Sequence, residues 1–265
     1  MTTKTMTTKK IARYLGKDGE VLEGVVQGDE IEEISGLDST LTGGRRLGSK
    51  RKLSEVQLMP WGMGRKIVIV GKNYVEHARE LASDVPKEPL LSMKPVSGLI
   101  GHGQAIVLPP SSISKEVHHE SELAVIIGRR LRRASEAECV KGVAGVTCLN
   151  DVTARDIQRA EVQWTRAKGF DTFCPVGPWV AVGLDWSDLR VQCRVNGVVK
   201  QDGRTRDQVF PVPRLLAFIT AGMTLEPGDI VSTGTPSGVG PLKAGDVVEV
   251  EVEGVGVLRN EVRAE

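Results

Sequence analysis

Val117-His118-His119-Glu120-Ser121-Glu122-Leu123 begins a pair of predicted apolar strands, and the second of these ends at Asn150-Asp151. Alternate side chains of a strand lie on one face, so Glu120 and Glu122 are predicted to point the same way. Asp151 follows the second strand and adds a third carboxylate. Three such groups brought together could hold a hard divalent cation. The other segments are therefore predicted to build a platform for this trio or to close over it.

An alternative interpretation of the Glu-x-Glu spacing is the solvent-exposed face of an ordinary strand. The residues that follow, 123–127, are apolar on both faces, so Glu122 borders a buried region. A buried carboxylate requires a cation or a hydrogen-bond partner, which favours the site. His118 and His119 are adjacent and should face opposite ways, so at most one of them can face a metal.

The segments around this pair predict a mainly β architecture with a few helices (α+β), a roll or barrel-like sandwich. Asn196-Gly197 between alternating residues predicts a hairpin, and the apolar spacing over Val212 to Ala221 predicts a helix. Ser135 is predicted to cap a helix, as is Thr153 or Asp151. We find no βαβ alternation, so most pairing should be antiparallel.

The N-terminal segment divides from the rest by composition. Residues 1–9 are predicted to be a disordered tail, residues 10–60 a small β-rich subdomain, and residues 61–265 the catalytic domain. Within the subdomain, Gly16 to Gly19 predicts a hairpin turn, and the Gly-, Ser- and Thr-rich segment 36–48 predicts a loop.

The composition is that of a soluble globular protein. Lys plus Arg is 35 and Asp plus Glu is 34, a net charge of +1, which gives no reason to expect nucleic acid as a partner. The sequence contains no apolar run long enough to span a membrane. The four cysteines have no metal-site or disulfide spacing, so we expect a reducing, cytoplasmic location. Two basic clusters, 45–52 and 129–133, are interpreted as solvated loops.

Further polar residues suggest chemistry around the trio. His77 and Glu80 are three apart on a predicted helix over 72–81, so they share a face and could form a water-activating pair. Lys168 could balance the charge of an anionic substrate, although a surface lysine is the default interpretation. The turn at Thr233-Gly234-Thr235-Pro236 could offer N–H groups and a hydroxyl to a carboxylate.

Taken together, these segments resemble the fumarylacetoacetate hydrolase superfamily. The resemblance runs in the family's order over roughly residues 66 to 252, and it is strongest for the acylpyruvase and oxaloacetate decarboxylase branch and for hydroxymuconate-type isomerases. The matching residues are Gly71-Lys72-Asn73-Tyr74, His77, Lys94-Pro95, His118-His119-Glu120, Glu122-Leu123, Asp151, Thr153-Ala154-Arg155-Asp156, Gln158, Lys168, Thr233-Gly234-Thr235-Pro236 and Gly238-Val239-Gly240.

The resemblance implies a mixed β-roll catalytic domain, a homodimer and a small 2-oxo acid substrate. It implies Mg²⁺ or Mn²⁺ on the trio and a catalytic His77–Glu80 pair on a lid that orders over substrate. It also implies that Lys168 stabilises enolate charge, and that four residues contact substrate or water: Gln158, Lys94, Thr235 and Gly234.

Three functions remain open. The first is a Mg/Mn-dependent C–C bond hydrolase or decarboxylase of an acylpyruvate, fumarylpyruvate or oxaloacetate type of substrate, acting through a metal-chelated pyruvate enolate. The second is a 2-hydroxyhepta-2,4-diene-1,7-dioate isomerase or decarboxylase of aromatic catabolism, which needs proton transfer but no nucleophilic water. The third is a non-catalytic, metal-stabilised binding protein, which would have no need for His77, Glu80 and Lys168.

Overall fold

A computed structural model describes residues 8–61, 64 and 66–265. The predicted disordered tail over residues 1–9 falls mostly on residues 1–7, which lie outside the described residues. For Lys9 the prediction is wrong, because this residue begins the first strand. The Gly- and Ser-rich segment predicted as a loop over 36–48 also differs, since a strand begins within it at Arg45.

Strands are the main regular secondary structure of the described residues. They are β1 (Lys9–Leu15), β2 (Val21–Gln27), β3 (Glu30–Ser35), β4 (Arg45–Lys52), β5 (Leu58–Met59), β6 (Ile67–Gly71), β7 (Leu90–Lys94), β8 (Leu99–Ile100), β9 (Ile106–Leu108), β10 (Val117–His119), β11 (Ser121–Ile127), β12 (Val143–Asn150), β13 (Thr153–Ala154), β14 (Cys174–Val182), β15 (Arg190–Val195), β16 (Val198–Arg204), β17 (Ile230–Ser232), β18 (Gly240–Pro241), β19 (Val247–Val252) and β20 (Gly256–Ala264).

The helices are short. They are α1 (Val75–Glu80), α2 (Glu136–Gly142), α3 (Arg155–Ala160), α4 (Thr165–Lys168) and α5 (Val212–Gly222), with 3₁₀ turns at Leu53–Glu55, Val96–Gly98 and Thr205–Asp207. In the described part of the chain, no helix is long and apolar enough to cross a membrane. The mainly β, α+β class predicted from the sequence is confirmed.

The strands form three sheets. The large one runs β4-β3-β2-β1-β14-β12-β11-β17-β6-β7, with β5 on β1 and β8 on β14. A second runs β16-β15-β19-β20-β9, and a small one runs β13-β10-β18. Most pairs are antiparallel, but β17 pairs in parallel with β6, so the large sheet is mixed. The N-terminal strands extend this sheet through the pairing of β1 with β14. The division at residues 60 and 61 stays a prediction.

The core lies on both faces of β11. Leu123, Val125 and Ile127 pack with side chains of β12, β15, β19 and α5, whereas Ala124 and Ile126 pack on the other face with side chains of β1, β2, β6 and β14. A strand buried on both faces reads as a continuous apolar run, as 123–127 does. This burial fixes the register of β11, because a slip of one residue would exchange its two faces.

Candidate active site

The three carboxylates meet where β11 begins and β12 ends. Ser121 pairs with Asn150 across these antiparallel strands, which places Glu120 just before β11 and Asp151 just after β12. The Asp151 N–H donates to the Glu120 carbonyl at 2.9 Å. Glu120, Glu122 and Asp151 are all buried, and one oxygen from each lies within 4.8 Å of the others. The strand breaks at Glu120, between β10 and β11, yet this carboxylate still faces the other two.

Two buried cations lie against Glu120. Lys168 Nζ donates to Glu120 Oε2 at 3.1 Å and also contacts Asp151, while the Arg155 guanidinium binds Glu120 Oε1. Burial acts to raise the pKa of Glu120, but Lys168 and Arg155 together outweigh it and lower that pKa. The same contacts raise the pKa of Lys168 against the effect of its own burial.

Glu122 has a different environment. Its Oε2 accepts hydrogen bonds from Ser232 Oγ at 2.5 Å and from the Gly234 N–H at 2.7 Å. Burial first, and then repulsion by Asp151 and Glu120, raises the pKa of Glu122 well above its ordinary value. This repulsion among hard oxygen donors is what a divalent cation would relieve, so the residues present fit such a metal.

His77 and Glu80 lie close together on α1, with His77 Nδ1 3.1 Å from Glu80 Oε2. A carboxylate only accepts, so Nδ1 carries the proton and Nε2 of a neutral ring has the lone pair. Glu80 is held from its other side by the Gly238 N–H at 3.0 Å. Burial raises the pKa of Glu80, but the bonds from His77 and Gly238 outweigh it, and the pKa is lowered.

A small cavity of about 20 Å³ lies over the carboxylates. Most of the residues predicted for the site line it: His77, Glu120, Glu122, Asp151, Gln158, Lys168 and Thr235. The volume suits little more than a water molecule, so binding of a larger ligand requires the lining to move. The turn of α1 that carries His77 and ends at Leu81 forms one wall.

Two residues predicted to contact substrate lie outside the lining of this cavity. Lys94 is buried beneath it, where Nζ donates to the carbonyls of Val152 and Lys168 and lies 2.8 Å from Asp151 Oδ1. The Gly234 N–H is bonded to Glu122. Lys94 and Gly234 therefore hold residues of the carboxylate trio in place.

Thr235 lines the cavity, but its hydroxyl proton is already used. Thr235 Oγ1 donates to the Ser121 carbonyl at 2.9 Å and accepts from Gln201 Nε2 at 2.7 Å. A hydroxyl has one proton, so this group can offer a ligand only a remaining lone pair.

The adjacent histidines do separate, as predicted, but neither lines the cavity. His119 is buried with Nδ1 3.0 Å from Gln201 Oε1, and His118 lies between Glu116 and Arg155. Burial lowers the pKa of both imidazoles.

The sequence alone indicates no role for Arg155 or Trp164. Arg155 is buried at the start of α3, four residues after Asp151, and binds both Glu120 and the Gln158 side chain. The Trp164 ring lies 6.0 Å from Lys168 Nζ and covers that side of the cavity. For Arg155 the available signal was a cationic residue only four positions after a metal-ligand candidate. For Trp164 the sequence offered no signal.

Residues 66–263 match the family model described as fumarylacetoacetate (FAA) hydrolase, C-terminal. This is about three quarters of the chain and includes every site residue described above. The chain therefore belongs to the fumarylacetoacetate hydrolase family. Members of this family are enzymes that generally use divalent metals, in agreement with the carboxylate cluster.

Similar proteins carry out different reactions. The mitochondrial oxaloacetate decarboxylase of Dictyostelium discoideum is 40% identical over 201 residues, covering 74% of this chain and 92% of that protein. A mitochondrial oxaloacetate tautomerase of Bos taurus is also 40% identical over 201 residues, covering 74% and 90%. The crystal structure of 5-carboxymethyl-2-hydroxymuconate delta-isomerase from Mycobacterium smegmatis is 39% identical, with a TM-score of 0.88 over 97% of this chain and 100% of that one.

Proposed function

We propose that this chain is a Mg²⁺- or Mn²⁺-dependent enzyme that cleaves a C–C bond of a small 2-oxo acid, by decarboxylation or hydrolysis. The observation that carries the proposal is the meeting of Glu120, Glu122 and Asp151 at a cavity that His77 and Lys168 also line. The decarboxylase and tautomerase named above act on oxaloacetate, a substance of this class.

Glu120, Glu122 and Asp151 would hold the metal. When bound there, the cation would supply Lewis-acid polarisation of the substrate's 2-oxo group. Lys168 and Arg155 keep positive charge against the ligand carboxylates, close to where negative charge develops as the bond breaks. These two residues are fixed by burial and by several hydrogen bonds each, so they need little rearrangement during the reaction.

His77 supplies the proton transfer. With Nδ1–H held by Glu80, Nε2 can take a proton from water for hydrolysis, or can exchange a proton with the carbon that has lost its substituent. Decarboxylation requires only the second role. The same site thus accommodates cleavage by either route, and the substrate decides whether water must attack.

The test is turnover of oxaloacetate and acetylpyruvate with Mg²⁺, with Mn²⁺ and with EDTA, corrected for the metal-catalysed background without enzyme. We expect activity to be lost in EDTA and in Glu120→Ala, and retained in Glu226→Gln, because Glu226 pairs with Arg130 and does not line the cavity. Activity undiminished by EDTA would refute the metal requirement. Formation of pyruvate and CO₂ from oxaloacetate would identify decarboxylation. Formation of pyruvate and acetate from acetylpyruvate would identify hydrolysis.

A 2-hydroxy-diene-dioate isomerase is the second candidate. The observation that favours it is the similarity to the Mycobacterium smegmatis isomerase, which is 39% identical and superposes with a TM-score of 0.88 over 97% of this chain. Solvent deuterium incorporation into such a substrate without cleavage would support this reaction over the first. The homodimer and the cytoplasmic location stay predictions, and sedimentation velocity tests the first.

A further inference from the structure

Gln201 joins three segments of the site that are far apart in sequence. It is a buried side chain of β16, outside the lining of the cavity. Its Oε1 lies 3.0 Å from both the Ser121 N–H donor and His119 Nδ1. Its Nε2 donates to Thr235 Oγ1 at 2.7 Å and to the Pro236 carbonyl at 2.8 Å. All four hydrogen-bonding positions of one amide are therefore used.

The orientation of this amide is fixed by chemistry. A backbone N–H can only donate and a carbonyl can only accept, so Ser121 selects Oε1 and Pro236 selects Nε2. His119 must then donate through Nδ1. Reversing the amide would place donor against donor at Ser121 and acceptor against acceptor at Pro236. Each mismatch would leave a buried polar group unpaired, which disfavours the reversed amide.

The acceptor side of the amide holds the metal-ligand strand. Ser121 stands between Glu120 and Glu122, and His119 immediately precedes them. Glu120 lies between β10 and β11 and belongs to neither strand, so the ladder of β11 begins only at Ser121. Gln201 Oε1 adds contacts on both sides of Glu120, at His119 and at Ser121.

The donor side holds the turn at residues 233–238. Within this turn the Gly234 N–H binds Glu122, the Gly238 N–H binds Glu80, and Thr235 lines the cavity. The turn rests on β16: Gly238 has φ +98°, and a Cβ there would collide with the Lys200 carbonyl, one residue before Gln201. One turn thus contacts both the metal ligands and the His77–Glu80 pair.

We infer that Gln201 is a positioning residue that sets the spacing of the Glu120 and Glu122 carboxylates and aligns the 233–238 turn with them. This inference rests on the proposed metal-dependent function. Partners that orient metal ligands typically change metal affinity by about 10- to 100-fold when removed. The Gln201 amide meets that description although it touches no ligand carboxylate itself.

The test compares Gln201→Met with Gln192→Met in Mn²⁺ titrations of the metal-free protein by calorimetry. Gln192 is a buried glutamine on the adjacent strand β15, away from the cavity, so the two substitutions are matched in chemistry and burial. We expect Gln201→Met to raise the Kd for Mn²⁺ by about 10- to 100-fold. Gln192→Met should lower thermal stability without changing that Kd. An unchanged Kd for Mn²⁺ in folded Gln201→Met would overturn the inference. So would an equal loss of Mn²⁺ affinity in Gln201→Met and Gln192→Met.

Two further variants complete the design. Gln201→Asn keeps both polar atoms but is one methylene too short to reach both sides, so its Kd should rise even if Gln201→Met does not fold. Glu122→Gln reports on the metal site itself. If Glu122→Gln loses Mn²⁺ binding and the Gln201 variants do not, only the role of Gln201 is refuted. If Glu122→Gln keeps full Mn²⁺ affinity, the proposed metal site fails, and the inference fails with it.

Discussion

Replacing Lys168 by methionine should destabilise the metal-free protein and increase its response to metal. Lys168 Nζ is buried between Glu120 and Asp151 and is bonded also to Thr153 Oγ1 at 2.9 Å. Methionine fills a similar volume without the charge. The change leaves two buried carboxylates without their shared cation, and a third, Glu122, already suffers repulsion from them.

The expected magnitude follows from that burial. Removing one partner of a buried ion pair costs about 3–5 kcal/mol, because the other charge stays desolvated. For a chain of this length the melting temperature falls roughly 2 °C per kcal/mol, so Tm should drop by roughly 6–10 °C without metal. A bound divalent cation replaces the missing charge. If its affinity rises tenfold, saturating metal returns about 1.4 kcal/mol, or roughly 3 °C, more to the variant than to the wild type.

Differential scanning calorimetry with EDTA measures the loss of Tm in the metal-free variant, and the same measurement with excess Mn²⁺ gives the gain in Tm on metal binding. Lys66→Met is the matched control, because Lys66 also pairs with a buried carboxylate, Asp229, at 2.6 Å but lies away from the cavity. Its Tm should fall while its gain from Mn²⁺ equals that of the wild type. The reasoning would be refuted if Mn²⁺ raised the Tm of Lys168→Met and of the wild type equally. It would also be refuted if Lys168→Met were as stable as the wild type in EDTA, because Lys168 would then not stabilise the buried Glu120 and Asp151.

Two other substitutions test the base pair and a helix cap. Glu80→Gln should lower kcat by about 10²- to 10⁴-fold, because the amide has one acceptor oxygen for two donors, His77 Nδ1–H and the Gly238 N–H, and no negative charge to support proton uptake by His77. Since the folded-state pKa of Glu80 is lowered, its contribution to stability is present above the ordinary Glu pKa and is lost as pH falls through the folded value. The Tm difference between wild type and Glu80→Gln should therefore shrink on acidification below about pH 4; a constant difference would contradict this. Ser135→Ala removes one side of the capping box with Glu138 at α2 and should lower Tm by roughly 2 °C, from a cost of about 1 kcal/mol, with kcat unchanged. An unaltered Tm would show that the cap contributes nothing.

Features with a local cause could be predicted from the sequence. The Asn196-Gly197 hairpin forms between β15 and β16, the helix over 212–221 is α5, and Ser135 caps α2. In each case the signal is a turn conformation, an apolar spacing or a capping hydroxyl within a few residues.

Predictions of strands, caps and helix ends were wrong where distant strand pairing, or a competing local hydrogen bond or backbone conformation, decided the structure. β4 has almost no apolar residues because it is an exposed edge strand paired only with β3, so its sequence reads as loop. Thr153 does not cap α3, because its hydroxyl donates to the Asp151 carbonyl instead. The predicted helix over 72–81 starts only at Val75, after Lys72 with φ +56°.

The supports of the site were the least predictable part. Ser232 and Gly234 reach Glu122 from 110 and 112 residues away, and Gln201 reaches Ser121 from 80. Neither spacing nor periodicity carries information over such separations. The trio itself could be predicted because its members lie at the start of one strand and just after the end of the next, and these strands are neighbours in the sheet.

The pairing of Ser121 with Asn150 has a consequence for how the enzyme fails. Hydrogen bonds between β11 and β12 set the distance from Glu122 to Asp151. Heating therefore cannot change the spacing of these two carboxylates without first separating the two strands. Those strands lie in the middle of the large sheet and should be among the last to open. If the trio holds a metal as proposed, metal retention and cooperative melting ought therefore to coincide in a single transition.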